Sequence, residues 1–340
     1  MTEPKMNSPL SVGPVRVPGR VWIAPMTGVS DLPFRRLASR LGAPYVATEM
    51  VACEALAASR PDALRRAAVG DGLPLMVIQL VGADPDAVAK SAALAARAGA
   101  HIVDLNFGCP AKSVTGLACG SALMRDLATA ERLVAAAVGA SAAPVTVKIR
   151  LGWDDACRNA VELAVRAEAA GAVAITVHGR TRQQFYAGRA DWAAVRAVRD
   201  AVAIPVIVNG DVVDVASARE ALAASGADAV MIGRAAIGRP WLAATIGAGL
   251  AGRTCDEPGG AERLDIVAGH LAASLAFHGE RLGVRTFRKH LAAYIEAAPW
   301  PSSPDARRAA RARLCRLEAP GDIVAALAAL WPSSPARLAA

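Results

Sequence analysis

A cysteine between a glycine and a proline is the residue of this sequence best suited to proton chemistry. Residues 103–110 begin as a short apolar strand and end in a tight loop that contains Asn106 and Cys109. A thiol is mostly protonated at neutral pH, so it can donate a proton without further activation. Because inert, buried thiols are common, the assignment depends on what surrounds the loop.

Polar or cationic side chains also follow most of the other apolar segments. They are Gln79, Lys148, Arg150, His178, Asn209, Asp211 and Arg234. Polar groups at so many strand ends indicate a site at the mouth of a barrel of parallel strands. Gly210 and Gly233 leave backbone N–H groups uncovered, and loops at this place in the fold commonly bind phosphate. The pattern favours a phosphate-bearing cofactor with its ring across the mouth, and FMN fits.

The segments that must position these residues alternate between short apolar runs and Ala-rich amphipathic stretches. Gly99, Gly171 and Gly226 each end a helical pattern, as left-handed helix caps do. Strands that alternate with helices predict a parallel sheet, and eight of them predict a closed (β/α)8 TIM barrel. The predicted strands are 21–25, 45–48, 75–80, 101–106, 145–149, 173–177, 206–209 and 229–232.

The pattern changes after Trp241, where only helical stretches follow. They cover residues 261–279, 283–297, 305–317 and 320–330. We therefore predict an α/β fold in which the barrel is followed by a small all-helical C-terminal domain. The predicted division is an N-terminal extension over 1–20, a barrel over 21–247 and a helical domain over 248–340.

Composition narrows the class of protein. The 340 residues are 54% hydrophobic, but no apolar run reaches the ~18–20 residues that a membrane span needs. The first 20 residues lack the apolar core of a signal peptide, so we expect a cytoplasmic protein with no membrane partner. The six cysteines form no CxxC pair, which argues against a disulfide framework or a metal site. Nothing indicates an obligate interface, so we expect a monomer.

A net charge of +8 is compatible with an ordinary basic protein or with a polyanionic partner such as RNA. On a predicted helix, Arg281, Arg285, Arg288 and Lys289 recur at the spacing of one face. Such a run is often only a solvated surface. We expect phosphate contacts here, with Arg285 and Arg288 as the substrate-binding residues. A second basic cluster contains Arg307, Arg308, Arg311 and Arg313.

The motifs at the strand ends, in this order, resemble those of the tRNA-dihydrouridine synthases, closest to the bacterial DusB type. The resemblance covers about residues 20–297 and includes the basic stretch 285–290. It rests on the motifs at 24–26, 78–80, 105–110, 147–150, 177–181, 209–211 and 232–234.

This resemblance implies an enzyme that reduces the C5=C6 bond of uridines in tRNA to 5,6-dihydrouridine. NADPH would reduce FMN, hydride would pass from the flavin N5 to C6, and Cys109 would protonate C5. Asn106 and Arg150 would face the flipped uridine. The residues implied for the cofactor are Pro25, Met26 and Thr27 along the flavin, Gln79 at its ring edge, Lys148 near N1 and O2, His178 as a further contact, and Asn209, Gly210, Asp211, Gly233 and Arg234 at the phosphate.

Two other classes of protein remain compatible with the sequence. One is an FMN barrel oxidoreductase that acts on a free pyrimidine, of the dihydroorotate or dihydropyrimidine type, because that group shares the Asn-Phe-Gly-Cys-Pro type of loop. The other is a non-catalytic RNA-binding barrel. Ribosomal RNA as the target and NADH as the reductant are also compatible with these residues. Cys119 lies ten positions after Cys109 and could serve packing or form a disulfide with it.

Overall fold

The computed structural model describes residues 8–70 and 73–331. Its centre is an eight-stranded parallel sheet, which confirms the predicted barrel class. A short antiparallel hairpin precedes the barrel. The hairpin strands are β1 (Leu10–Val12) and β2 (Val15–Val17), and the barrel strands are β3 (Val21–Ile23), β4 (Val51–Ala52), β5 (Val77–Val81), β6 (Ile102–Phe107), β7 (Val145–Arg150), β8 (Ile175–His178), β9 (Val206–Asn209) and β10 (Ala229–Ile232).

The second predicted strand, residues 45–48, is wrong as a regular strand. This segment makes only two isolated parallel bridges, Ile23 to Val46 and Ala47 to Val77, and these bridges close the barrel between β3 and β5. The chain leaves the ladder at Thr48, because its hydroxyl accepts the N–H of Gln79 at 3.0 Å in place of a backbone carbonyl. The regular ladder resumes later, as β4.

Side chains fill the barrel axis below the mouth. Trp22 and Tyr45 stack there with ring centroids 4.2 Å apart. The hairpin adds Leu10, Val12 and Val17 to the same buried cluster, so it closes the amino-terminal end of the barrel. The sequence pattern assigns these residues to the N-terminal extension and does not predict a hairpin.

Helices cover the outside of the sheet through Ala-rich faces that pack on Val and Ile. The predicted glycine caps are confirmed, since Gly99, Gly171 and Gly226 all have positive φ. The helices are α1 (Leu32–Arg40), α2 (Cys53–Ala57), α3 (Pro61–Arg66), α4 (Pro85–Arg97), α5 (Lys112–Thr115), α6 (Leu127–Ala140), α7 (Ala160–Ala169), α8 (Val195–Ala201), α9 (Val215–Ser225) and α10 (Leu242–Leu250).

Four further helices form the C-terminal region, as predicted. Their apolar faces make a second cluster that also takes in Leu37 and Trp241 of the barrel region. A hydrogen bond of 2.8 Å between the Asp31 carboxylate and the His278 ring joins the start of α1 to this region. The helices are α11 (Gly260–His278), α12 (Glu280–Ala297), α13 (Pro304–Leu314) and α14 (Pro320–Leu330).

The division into segments 1–20, 21–247 and 248–340 stays a prediction, and its residues 1–7, 71–72 and 332–340 lie outside the described part of the chain. Within the described part, no helix combines the length and the apolar character that crossing a membrane requires.

Candidate active site

A cavity of about 520 Å³ opens at the carboxyl ends of the barrel strands. The alternation of side chains along each strand explains its lining, because every second residue faces the barrel axis. Paired registers then place Lys148 beside Asn106 and His178 beside both Arg150 and Asn209. All the barrel residues predicted for the site line the cavity: Pro25, Met26, Thr27, Gln79, Asn106, Cys109, Lys148, Arg150, His178, Asn209, Gly210, Asp211, Gly233 and Arg234.

The loop that carries Cys109 is fixed by hydrogen bonds on both sides. The Asn106 side-chain oxygen accepts the N–H groups of Gly108 at 3.1 Å and of Cys109 at 2.8 Å. The Cys109 carbonyl accepts the N–H and the hydroxyl of Ser121 at 3.1 and 2.9 Å. Gly120 has φ +60°, and a Cβ there would lie 2.9 Å from the Cys109 carbonyl oxygen. The half-buried thiol is therefore presented to the cavity by a rigid loop.

A buried polar network supports this loop from inside the barrel. The Asn106 side-chain N–H donates to the Gln79 oxygen at 2.8 Å, and the Gln79 N–H donates to Asp104 at 2.7 Å. Thr146 donates to the other Asp104 oxygen at 2.7 Å. Burial raises the pKa of Asp104 to about 6, against the opposing effect of these hydrogen bonds and of the charge on Lys148.

Lys148 brings a cation to the cavity wall. Its ammonium donates to the Asn209 side-chain oxygen at 2.9 Å, and Asn209 in turn donates to the carbonyl of Met231 at 2.7 Å. Desolvation lowers the pKa of Lys148 to about 8, the nearby charge of Arg150 adds to this, and Asp104 opposes it. Lys148 therefore remains mostly cationic at neutral pH and loses its charge as the pH rises through about 8.

Arg150 anchors the loops around the cavity. Its Nε donates to the Gly108 carbonyl at 2.8 Å, and its Nη1 donates to the carbonyls of Thr181 and Phe185, both at 2.9 Å. Burial is the main reason that the pKa of this guanidinium falls to about 10. Its Nη2 makes no hydrogen bond within the described chain and can still contact a ligand.

The ends of β9 and β10 offer donors on the opposite side of the cavity. The backbone N–H groups of Gly210, Asp211 and Gly233 find no acceptor among the residues described here. Gly210 has φ +115°, and a Cβ there would come within 2.9 Å of the His178 ring. Burial, followed by the charges of Lys148 and Arg150, lowers the pKa of His178, so this imidazole is neutral. Such a set of free donors beside Arg234 is suited to an anion.

Asp211 does not offer its carboxylate to an anion. It forms a two-bond ion pair with the buried Arg180, at 3.0 and 2.6 Å, and accepts the N–H of Ala190 at 2.8 Å. Desolvation raises the pKa of Asp211, but the hydrogen bond and charge of Arg180 outweigh this and leave it below the usual value. Any contact of Asp211 with a phosphate would therefore use its backbone N–H.

Comparison with known proteins places the chain in a family. The sequence profile of the family described as Dihydrouridine synthase (Dus) matches residues 22–314. The chain belongs to the dihydrouridine synthase family.

Relatives of this dihydrouridine synthase family member are similar over nearly their whole length. A "Probable tRNA-dihydrouridine synthase" of Rhodobacter capsulatus is 49% identical over 303 residues, which cover 88% of this chain and 93% of that protein. The "tRNA-dihydrouridine synthase B" of Pseudomonas aeruginosa is 44% identical over 296 residues, which cover 86% and 88% of the two chains. The predicted resemblance to this family and to its DusB type is confirmed.

Solved structures share the barrel fold with this dihydrouridine synthase family member. A mutant of morphinone reductase in complex with tetrahydroNAD has a TM-score of 0.52 at 15% identity, over 73% of this chain and 92% of that one. Histamine dehydrogenase from a Rhizobium species has a TM-score of 0.54 at 15% identity, over 79% and 51% of the chains. At such identity the likeness concerns the fold alone.

The predicted RNA-binding residues of this family member lie outside the cavity. Arg285 is exposed on α12, whereas Arg288 is half-buried and its Nε has no hydrogen-bond partner in the described chain. Lys289 reaches the loop after β3, where a Cβ at Gly28 would overlap its ammonium. The positive φ of Gly28 and this close approach explain the glycine at that position. The roles of Arg285 and Arg288 stay predictions.

An aromatic pair beside the cavity was not predicted from the sequence. Phe185 and Tyr186 line it and are both more than 40% exposed. Arg180 fixes their loop by donating to the carbonyls of Ala187 at 3.0 Å and Gly188 at 2.6 Å. The sequence did contain a signal for this pair. Two adjacent aromatic residues follow a strand end in a chain with only 4% aromatic residues.

Proposed function

We propose that this protein reduces the C5=C6 bond of specific uridines in tRNA to 5,6-dihydrouridine, with a flavin as cofactor, specifically FMN, and NADPH as reductant. The observation that carries the proposal is the rigid presentation of the Cys109 thiol at the mouth of a cavity with a donor-rich anion site opposite. The names of the relatives, which refer to tRNA and dihydrouridine, support the substrate class.

The residues around the cavity fit FMN in two places. The free N–H groups of Gly210, Asp211 and Gly233 and the guanidinium of Arg234 would hold its single phosphate. A side chain at Gly233 would project into open space, so its backbone is accessible to a ligand. The ring would lie against Pro25, Met26 and Thr27, and Gln79, Lys148 and His178 would contact its polar atoms.

FMN supplies a hydride to the uracil ring when bound and reduced, and the chain supplies the rest of the reaction. Cys109 donates the proton that completes reduction of the double bond, so its thiol must approach C5 of the base. The Asn106 amide donates to Gln79 and also faces the Met50 sulfur at 3.9 Å, and a base carbonyl would replace that weak acceptor. Arg150 keeps Nη2 for the same ring. The cation of Lys148 would stabilise negative charge near the flavin N1 and O2.

The target base must leave its stack to reach this cavity, so the protein must also hold the surrounding RNA backbone. Arg285 and Arg288 on α12 are the proposed phosphate contacts. A cytoplasmic, monomeric protein is part of the proposal, because tRNA is the substrate named for the relatives and the cavity is completed by one chain.

The first test is NADPH oxidation by the purified protein, with and without tRNA that lacks dihydrouridine. We expect a yellow protein whose turnover rises with that tRNA and leaves dihydrouridine in it. Fully modified tRNA, which offers no target uridine, is the matched control. A yellow protein that ignores tRNA but reduces free uracil or orotate would replace the proposal with a small-molecule reductase. A colourless, inactive protein that binds RNA would replace it with a non-catalytic barrel.

A further inference from the structure

A carboxylate that the reaction does not require lies beneath the active site. Asp104 faces the barrel axis two residues before Asn106 and is 3% exposed. One of its oxygens accepts from Thr146 and the other from Gln79, both at 2.7 Å. It does not line the cavity, so it reaches the reacting atoms only through other residues.

The polarity of this carboxylate determines the orientation of the neighbouring amides. An ionised carboxylate only accepts hydrogen bonds, so Gln79 must turn its NH2 group toward Asp104. Its oxygen then points to Asn106 and accepts the Nδ2–H at 2.8 Å. Asn106 must in turn direct its oxygen to the loop, where it accepts the N–H groups of Gly108 and Cys109.

We propose that Asp104 is a positioning residue that fixes the orientation of the Gln79 and Asn106 amides and thereby the position of the Cys109 thiol. This inference rests on the proposed function for its catalytic meaning. The same orientation leaves one Gln79 N–H, rather than its oxygen, free to face the flavin edge. It also directs the second Asn106 N–H toward the Met50 sulfur at 3.9 Å, a weak acceptor that a substrate carbonyl would replace.

The burial of the charge supports this role. An uncompensated carboxylate in a barrel interior is costly, and apolar residues would fill the same space with less cost. Neighbouring interior positions of the barrel are indeed apolar, among them Ile102 and Val77. A fully hydrogen-bonded polar network can impose one arrangement that apolar packing cannot.

Asp104→Asn tests the orientation with almost no change of shape. If Thr146 still donates to the remaining oxygen of the substituted side chain, the new NH2 group faces the Gln79 NH2 group. Relief of that contact requires Gln79 to turn over, which then presents its NH2 group to Asn106. Asn106 must follow, and its NH2 group would oppose the Cys109 N–H. A change of a single atom type thus disrupts the loop.

Thr146→Val is the matched control. It removes a hydrogen bond from the same carboxylate but leaves Asp104 as the acceptor for Gln79. We expect it to keep the Cys109 loop and the rate of uridine reduction within about twofold of wild type.

The measurement is the alkylation rate of Cys109 in the full-length protein, resolved by peptide mass spectrometry, with the exposed Cys255 as internal reference. In Asp104→Asn we expect the Cys109 rate to rise about threefold to tenfold, the range that loss of a hydrogen bond produces. In the same variant the absorption band of bound flavin shifts, and uridine reduction falls at least about tenfold in kcat.

Gln79→Met provides a second test if Asp104→Asn does not fold. It interrupts the same series of hydrogen bonds at the next residue, between Asp104 and Asn106. It should raise the Cys109 alkylation rate to a similar extent, and Thr146→Val should not. An unchanged Cys109 alkylation rate in Asp104→Asn or in Gln79→Met, or an equal rise of that rate in Thr146→Val, would overturn the inference. Wild-type protein that fails to reduce tRNA would refute the proposed function instead, since alkylation is measured without turnover.

Discussion

The molecule carries positive charge in two regions that are built in opposite ways. At the barrel mouth, the side chains of both cations are held by hydrogen bonds. Lys148 donates to the Asn209 side chain, and Arg150 donates to the backbone carbonyls of Gly108, Thr181 and Phe185. On α12, Arg281, Arg285 and Lys289 form no ion pair or side-chain hydrogen bond within the described chain. Arg281 and Arg285 extend from regular helix into solvent.

This contrast determines what each region can recognise. Cations fixed in a desolvated mouth act at a defined distance and are poorly screened by salt. Exposed cations on a helix can adapt to a flexible backbone, but salt weakens them. The mouth is therefore suited to chemistry on one ring. Helix α12 is suited to binding a polyanion without regard to its sequence.

Cys109→Ala should produce the largest effect. We expect uridine reduction to fall by about 10²- to 10⁴-fold, the usual contribution of a positioned proton donor, with flavin content and flavin reduction by NADPH unchanged. Stopped-flow absorbance separates the two steps. Cys109→Ser is the control, because serine keeps the shape of the cysteine side chain and replaces only the thiol. A parallel loss of flavin reduction would assign Cys109 to cofactor binding rather than to proton transfer.

Lys148→Met should have the next largest effect, because it removes a charge that is hydrogen-bonded inside the mouth. Flavin affinity should drop about 10- to 100-fold, as measured by fluorescence titration.

The affinity of the wild type should also depend on pH. A lysine is cationic below its pKa, and that of Lys148 is lowered to about 8, so flavin binding should weaken as pH rises through 8. Lys148→Met should lack this decline. If both proteins respond alike to pH, another group is responsible.

Charge reversal at Arg285 and Arg288 together should weaken tRNA binding by about tenfold at moderate salt while leaving flavin reduction unchanged. The plot of log affinity against log salt concentration should lose about 1.4 of its slope if two phosphate contacts disappear. Filter binding at several salt concentrations gives both quantities. An unaltered slope would remove α12 from the RNA-binding surface.

Arg308→Ala should have the smallest effect, with tRNA affinity changed less than about twofold. Arg308 is exposed but already lies 3.3 Å from Asp305, and its neighbour Arg311 is paired with Glu296 at 2.7 Å. The second basic cluster is thus partly neutralised by its own chain. A large loss in this variant would move the RNA footprint from α12 to α13.

The sequence predicted the parts of the fold that depend on local patterns. Strands β9 and β10 match their predicted bounds, and the glycine caps follow from short-range chain geometry. The hairpin of β1 and β2 has only three residues in each strand, too few for an alternation to stand out. Residues 45–48 do not form a regular strand, because the Thr48 hydroxyl accepts the Gln79 N–H in place of a backbone carbonyl. The periodicity of the sequence does not reveal such a side-chain hydrogen bond.

The site was predictable as a set of residues but not as a set of contacts. The barrel fold brings every predicted strand-end residue to one cavity, because parallel strands end on the same side. The anchoring bonds of Arg150 and Arg180 join residues up to 42 positions apart. Such pairs depend on the register between strands, which the sequence alone did not specify.

The filled base of the barrel has a kinetic consequence. Trp22, Tyr45 and the hairpin occupy the axis from below, so the cavity opens only at the carboxyl ends of the strands. On the proposed function, a nicotinamide and a uracil would both have to enter through that opening, and they would take turns in the cavity. The reaction would then be ping-pong, with NADP⁺ leaving before the RNA base enters. Double-reciprocal plots at several tRNA concentrations would be parallel lines, and each substrate at high concentration would inhibit by occupying the form of the enzyme meant for the other.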